Sequence, residues 1–162
     1  MDKANEKDLE AAEKPASKEN VEAYNKIVQH AKLTDIKLTD GRFTLKPEYF
    51  LLAEEEESGA KKKALVRNFN CDVSPMEIDR EHGILCGFFK WTVSVKKGRK
   101  RLVSVSATFV VAYSDVPDIP DDPAHAFLEK VGSIASYPYF RSFVSQLSWA
   151  SGADLPILPI LK

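Results

Sequence analysis

Two segments, GILCGFFKWTVSV (83–95) and RLVSVSATFVVAY (101–113), constrain the fold of this chain more than any other feature. Strand side chains alternate between two faces, and here Phe89, Trp91, Val93 and Val95 share one face of the first segment. Val103, Val105, Ala107, Phe109 and Val111 do the same in the second. The link KKGRK carries Gly98, which suits a tight hairpin turn. Two long paired strands with one apolar face demand a layer to cover that face.

Two further segments extend the sheet. LTDIKLTDGRF (33–43) alternates Ile36 and Leu38 with polar neighbours, and ALVRNFNCDV (64–73) places Leu65, Phe69, Cys71 and Val73 on one side. Four strands, mostly antiparallel, are expected. Between these two lies KPEYFLLAEEEESGAKKK (46–63), too long for a hairpin and read as a crossover. It holds four successive apolar residues, Tyr49, Phe50, Leu51 and Leu52. The opposite charge blocks around Ser58 and Gly59 read as a solvated loop, or as a gate over a groove beside those four.

The covering layer is helical. Ser17 can cap a helix over 18–32 that sets Val21, Tyr24, Ile27, Val28 and Ala31 on one face. Pro117, Pro120 and Pro123 break the chain before a short helical turn near 123–130. SYPYFRSFVSQLSWASG (136–152) then reads as a helix, with Ser136 as cap, Pro138 near its first position and Gly152 past its end. Phe140, Val144 and Leu147 lie on one side with Tyr139, Phe143 and Gln146 beside them, an apolar arc wider than a half-buried helix needs. Core packing accounts for such a stripe, and its excess suits contact with another subunit. In LPILPILK two prolines deny a helix and hold Leu155, Ile157, Leu158, Ile160 and Leu161 extended, either packed on the sheet or lining a binding site.

At 162 residues the chain suits one domain, residues 17–162, preceded by a charged tail at 1–16 too poor in apolar groups to order itself. The net charge of −1 gives no global field toward nucleic acid, and the basic KKGRKR turn lacks interleaved aromatics, so no nucleic-acid partner is expected. No apolar run has the ~18 residues of a membrane helix, and charge follows Met1 directly, so a cytoplasmic protein without membrane contact is expected. His30, His82, His125, Cys71 and Cys86 sit in no catalytic or metal-binding motif; no catalytic residue, metal or cofactor is expected. Cys71 reads as a packed thiol on a strand, with Cys86 near it across a hairpin.

The stretch YPYFRSFVSQLSWASGADLPILPI resembles the signature of the SecB export-chaperone family: an aromatic-Pro-aromatic start to a helix, an arginine, a glycine, then a Leu-Pro segment. TDIKL is similar to that family's first strand, 46–63 to its crossover loop, and WTVSVKKGRKRLVSVSATFVVAY to its third and fourth strands. The resemblance spans about 33–161 and is specific over 132–161. It implies an α+β fold: a SecB-like four-stranded antiparallel sheet with a long crossover loop, a packed helix near the C-terminus and an additional N-terminal helix. It also implies an ATP-independent holdase for unfolded polypeptide clients, assembled as a homo-oligomer, dimer or tetramer. Client contacts would come from Tyr49, Phe50, Leu51, Leu52, Ile157, Leu158, Ile160 and Leu161; subunit contacts from Tyr139, Phe140, Phe143, Val144 and Leu147. Two departures narrow this. The turn Lys96, Lys97, Gly98, Arg99, Lys100, Arg101 is basic where the export chaperones offer the SecA motor acidic groups, so weak or absent SecA docking is expected. The chain reaches Lys162 before that family's final helix, which implies a more open groove. The 18–32 helix is similar to an addition in SecB-like relatives resembling antitoxin chaperones, which leaves export and antitoxin protection both open. An interaction adaptor without chaperone activity, or a small enzyme, are the alternatives.

Overall fold

The computed structural model describes residues 18–59, 65–74, 77–156 and 158. The expectations for the 1–16 tail, for Ser17 and for Ile157, Ile160 and Leu161 lie outside the described residues. In chain order the elements are α1 Lys18–His30, β1 Lys32–Leu45, α2 Glu48–Glu57, β2 Val66–Val73, β3 Glu77–Asp79, β4 Ile84–Lys97, β5 Lys100–Ser114, α3 Asp121–Phe127, a π-helical turn Leu128–Gly132, and α4 Ser133–Ser151. The sheet is antiparallel with order β1-β5-β4-β2. A fifth strand, β3, was not expected; its three residues pair with Ile84, Leu85 and Cys86 at the start of β4.

The β4–β5 hairpin folds as its alternation dictates. Lys97 pairs with Lys100, and Gly98 takes φ +59 as the first of the two turn residues, a conformation a primed hairpin turn requires and glycine adopts without strain. All nine apolar residues expected to face inward are buried. Cross-strand neighbours share a face, so Val93 stands between Val105 and Phe69, and Trp91 between Ala107 and Cys71. On β1, register shifts at Leu33/Asp35 and Leu38/Asp40 insert Thr34 and Thr39 as bulges. They keep Leu33, Ile36 and Leu38 opposite the inward residues Tyr113, Val111 and Phe109. Cys71 and Cys86 stand on opposite faces, since Cys71 pairs with inward Trp91 and Cys86 with outward Ala112; the expectation that they lie together is corrected.

The covering layer departs from expectation at the start of α4 and on one flank of α1. Helix α4 begins at Ser133, not after Ser136, because α3 and the π-helical turn lead into it without a break. Ser136 is therefore no cap. It is fully buried mid-helix, accepts the Trp91 indole N–H at 3.0 Å and donates to the Ser133 carbonyl at 3.2 Å. Pro138 lies inside the helix on its exposed side, where water can serve the carbonyl its missing N–H leaves free. Gly152 closes α4 in the left-handed region at φ 65. Close approach is possible at Gly132, where a Cβ would stand 2.3 Å from the Phe89 ring.

The core lies between the inward sheet face and α4. Trp91 stacks on Phe69 and Phe140 at centroid distances of 5.4 and 6.0 Å and meets Tyr137 at 5.2 Å. Helix α1 buries Ile27 and sets Tyr24 edge-on to Phe127 at 6.4 Å, while Val21 and Val28, expected on the packed face, are half exposed. They flank the contact that α1 makes with α3 and with Lys130 of the π-helical turn, which lies over the Tyr24 ring.

Candidate client-binding and subunit surfaces

The crossover is ordered through α2, which spans the end of the sheet and is held at three points. Glu48 near its start bridges Lys100 of β5 at 2.5 Å, and Glu56 near its end bridges Arg67 of β2 at 2.6 Å. Between them the Tyr49 hydroxyl donates to the Asp154 carbonyl at 2.5 Å, beyond the end of α4. Hydrogen bonds to Lys100 and Arg67 hold the Glu48 and Glu56 carboxyls below their ordinary range, and burial raises the Tyr49 phenol.

This anchoring divides the expected client residues. Tyr49 is only 3% exposed and its polar tip is satisfied within the chain, so its assignment to client contact is corrected. Leu51 is 65% exposed, Phe50 39%, and Leu52 half-buried. Leu51 and Leu52 overhang a cleft of about 320 Å³ whose floor is Leu102 and whose rim is Glu48, Glu55, Lys97 and Lys100. Leu158 is also corrected, being buried with Leu155. Ser148 explains why: its hydroxyl donates to the Ala153 carbonyl at 2.6 Å and accepts the Leu155 N–H at 3.3 Å, folding the chain back onto α4.

The expected subunit residues divide too. Phe140 and Val144 are buried in the chain's own core, so they are unavailable to a partner and that assignment is corrected. Phe143 lies over Gly41, its ring 3.0 Å from where a Cβ would be, and Leu147 packs beside the core. Of the five, Tyr139 alone is half exposed, 6.3 Å from Phe109. The outward face of α4 instead carries Ile134 and Trp149, the latter 89% exposed above a shallow cleft with Ser145, Gln146 and Ala150. Sequence reasoning missed Ile134 as a surface anchor because it began the helix after Ser136, and missed Trp149 because helical spacing does not say which side of α4 the sheet covers. Phased from Ser133, helical spacing alone puts Ile134, Pro138, Ser142, Ser145 and Trp149 on one side.

The candidates for catalysis are dispersed. His30 donates its Nδ1–H to the Lys26 carbonyl, His82 pairs with Asp79 at 2.9 Å in the β3–β4 turn, and His125 is exposed on α3. Burial pushes the Cys71 thiol up to about 12, which suits packing rather than nucleophilic attack. Among the described residues no group of three or more His, Cys, Asp or Glu could hold a metal, and no helix is long and apolar enough to cross a membrane.

An antiparallel sheet crossed at one end by α2, and covered on one face by a long C-terminal helix, is the arrangement of a SecB-like α+β protein. The fold matches that of the Mycobacterium tuberculosis SecB-like chaperone Rv1957, solved in complex with a ChAD peptide from the Rv1956 HigA1 antitoxin. The TM-score is 0.67 over 87% of this chain and 97% of that one, at 14% identity. A stretch of 65 residues is 40% identical to the SecB-like chaperone SmegB of Mycolicibacterium smegmatis, covering 40% of this chain and 43% of that protein. The match thus spans less than half of the curated relative. No family model matches the chain. The two likenesses together support the SecB-like family for this chain.

Proposed function

We propose that this protein is an ATP-independent chaperone that holds extended apolar segments of non-native polypeptides. The observation that carries this reading is the exposed Leu51 beside the Leu102-floored cleft, in a fold shared with a SecB-like chaperone solved with a peptide bound. A client leucine entering the cleft would be stabilised by ~1.5–3 kcal/mol, and several weak contacts along one segment add through effective concentration. A folded client has already buried such segments, so selection is for the unfolded state. Protection of an antitoxin-like client is favoured over export, because Rv1957 carries an antitoxin peptide and because the β4–β5 turn is basic. The activity is proposed for the cytoplasm, without catalysis or cofactor.

The test is light scattering of a chemically unfolded client diluted into buffer without nucleotide. Wild type should suppress aggregation, and the Phe50→Ser/Leu51→Ser variant should do so poorly while keeping its circular dichroism, since both side chains point to solvent. Failure of wild type with several clients would remove the holdase reading. An active wild type matched by the variant would move the client site elsewhere.

The assembly we propose is a homo-oligomer, dimer or tetramer, joined through the outward face of α4. An 89% exposed Trp149 near small Ser145 and Ala150 offers a large anchor next to a shallow receptor, the pairing that buried interfaces use.

A further inference from the structure

The cleft beneath α2 does not stand alone. On the other side of Leu102 lies a second cleft, of about 260 Å³, bounded by Lys46 and Arg101 with the hydroxyls of the paired residues Thr44 and Ser104 between them. Together the two clefts present Lys46, Lys97, Lys100 and Arg101 against two carboxylates, Glu48 and Glu55, both on the helix side. Lys100 is taken up by Glu48. No ion pair engages Lys46, Lys97 or Arg101 among the described residues. An apolar floor thus adjoins Lys97 and Arg101 of the hairpin and Lys46 after β1, none of them held in an ion pair among the described residues, although Lys46 is near enough to Glu48 to help lower its carboxyl.

We propose that the two clefts form one recognition site, selecting polypeptide segments in which an aliphatic side chain has carboxylates within the next few residues. The aliphatic group would seat between Leu51, Leu52 and Leu102, and the carboxylates would meet Lys46 and Arg101. The proposal rests on the client-holding reading and adds a chemical preference to it. Charge complementarity at a rim mainly sets which partners are accepted, whereas the apolar contact supplies most of the affinity. A nucleic acid fits less well: its phosphates would use the cations, but the clefts offer no aromatic platform for its bases. The chain's own Asp8-Leu9-Glu10 has the chemistry sought, which makes it the competitor to exclude.

The experiment uses the full chain and three fluorescein-labelled ten-residue peptides, read by anisotropy. One carries leucine among aspartates, one the same leucine among lysines, and one serine among aspartates. At about 50 mM salt the acidic leucine peptide should bind roughly tenfold tighter than the basic one, and the preference should shrink toward threefold near 300 mM as screening grows. Lys46→Gln/Arg101→Gln should abolish the preference by bringing the affinity for the acidic leucine peptide down toward that for the basic one. Leu51→Ser/Leu52→Ser should weaken both leucine peptides, and circular dichroism should report all variants folded. Equal binding of acidic and basic peptides by an active holdase overturns the charge preference and leaves the holdase reading standing. No peptide binding together with no aggregation suppression removes both. Acidic-peptide binding that ignores the leucine-to-serine change, or that a single-stranded RNA of similar length displaces more strongly than unlabelled peptide, overturns the proposal in favour of a general anion site. A tenfold gain in affinity on Leu9→Ser overturns it in favour of an occupant from the chain itself.

Discussion

The Tyr49 hydroxyl donates to the backbone carbonyl of Asp154 at 2.5 Å, joining the crossover helix to the segment that follows α4 across 105 residues of chain. The contact ties the first of the residues that the sequence assigns to clients to Asp154, just before the Leu-Pro segment that supplies the others. What faces solvent is then only the side of α2 that Tyr49 does not anchor.

Tyr49→Phe should keep the ring packed and delete the hydrogen bond, lowering stability by about 1 kcal/mol in urea denaturation. Amide exchange in α2 should speed up more than in β4 or β5. Equal acceleration everywhere would mean that the bond supports the whole domain rather than the crossover.

Ser136→Ala should cost more, about 1–3 kcal/mol, because it leaves the buried Trp91 indole N–H without an acceptor. A urea midpoint within error of wild type would show that another acceptor reaches Trp91 once the hydroxyl is gone.

Acid should release α2 before the sheet. The Glu48 and Glu56 carboxyls are held below their ordinary value of 4.5 by Lys100 and Arg67. Their folded-state values being lowered, the stabilisation is fully present above the unfolded value and is lost as pH falls through the folded ones. Between about pH 6 and 3 the NMR signals of α2 amides should shift before those of β4 and β5 lose dispersion. Simultaneous loss would show that the two ion pairs do not govern the crossover.

Trp149→Lys should lower the mass seen by light scattering without altering circular dichroism, since the side chain is almost wholly exposed. Phe140→Asp should instead unfold the chain, because it places a charge within the Trp91 cluster. An unchanged mass for Trp149→Lys would locate subunit contact away from this face of α4.

The alternation in 83–95 and 101–113 determined the hairpin and which residues share its apolar face, because strand periodicity is a local property that each residue reports by its position. The glycine after α4 was legible for a local reason too: without a Cβ it takes the left-handed conformation that ends a helix at little cost. The assignment of exposed apolar residues was not local. Phe140 and Trp149 are both aromatic residues on one helix, and only the direction from which the sheet approaches α4 decides that the first is core and the second surface. Likewise Tyr49 and Leu51 are two residues apart in one apolar run, and the turn of α2 between them sends one to Asp154 and the other to solvent. The start of α4 was misjudged because Ser136 has the chemistry of a cap, while the continuous π-helical lead-in and the Trp91 indole that claims its hydroxyl come from elsewhere in the fold. Sequence periodicity sets which residues can share a face; which face is buried depends on partners distant in the chain, and tertiary packing alone supplies them.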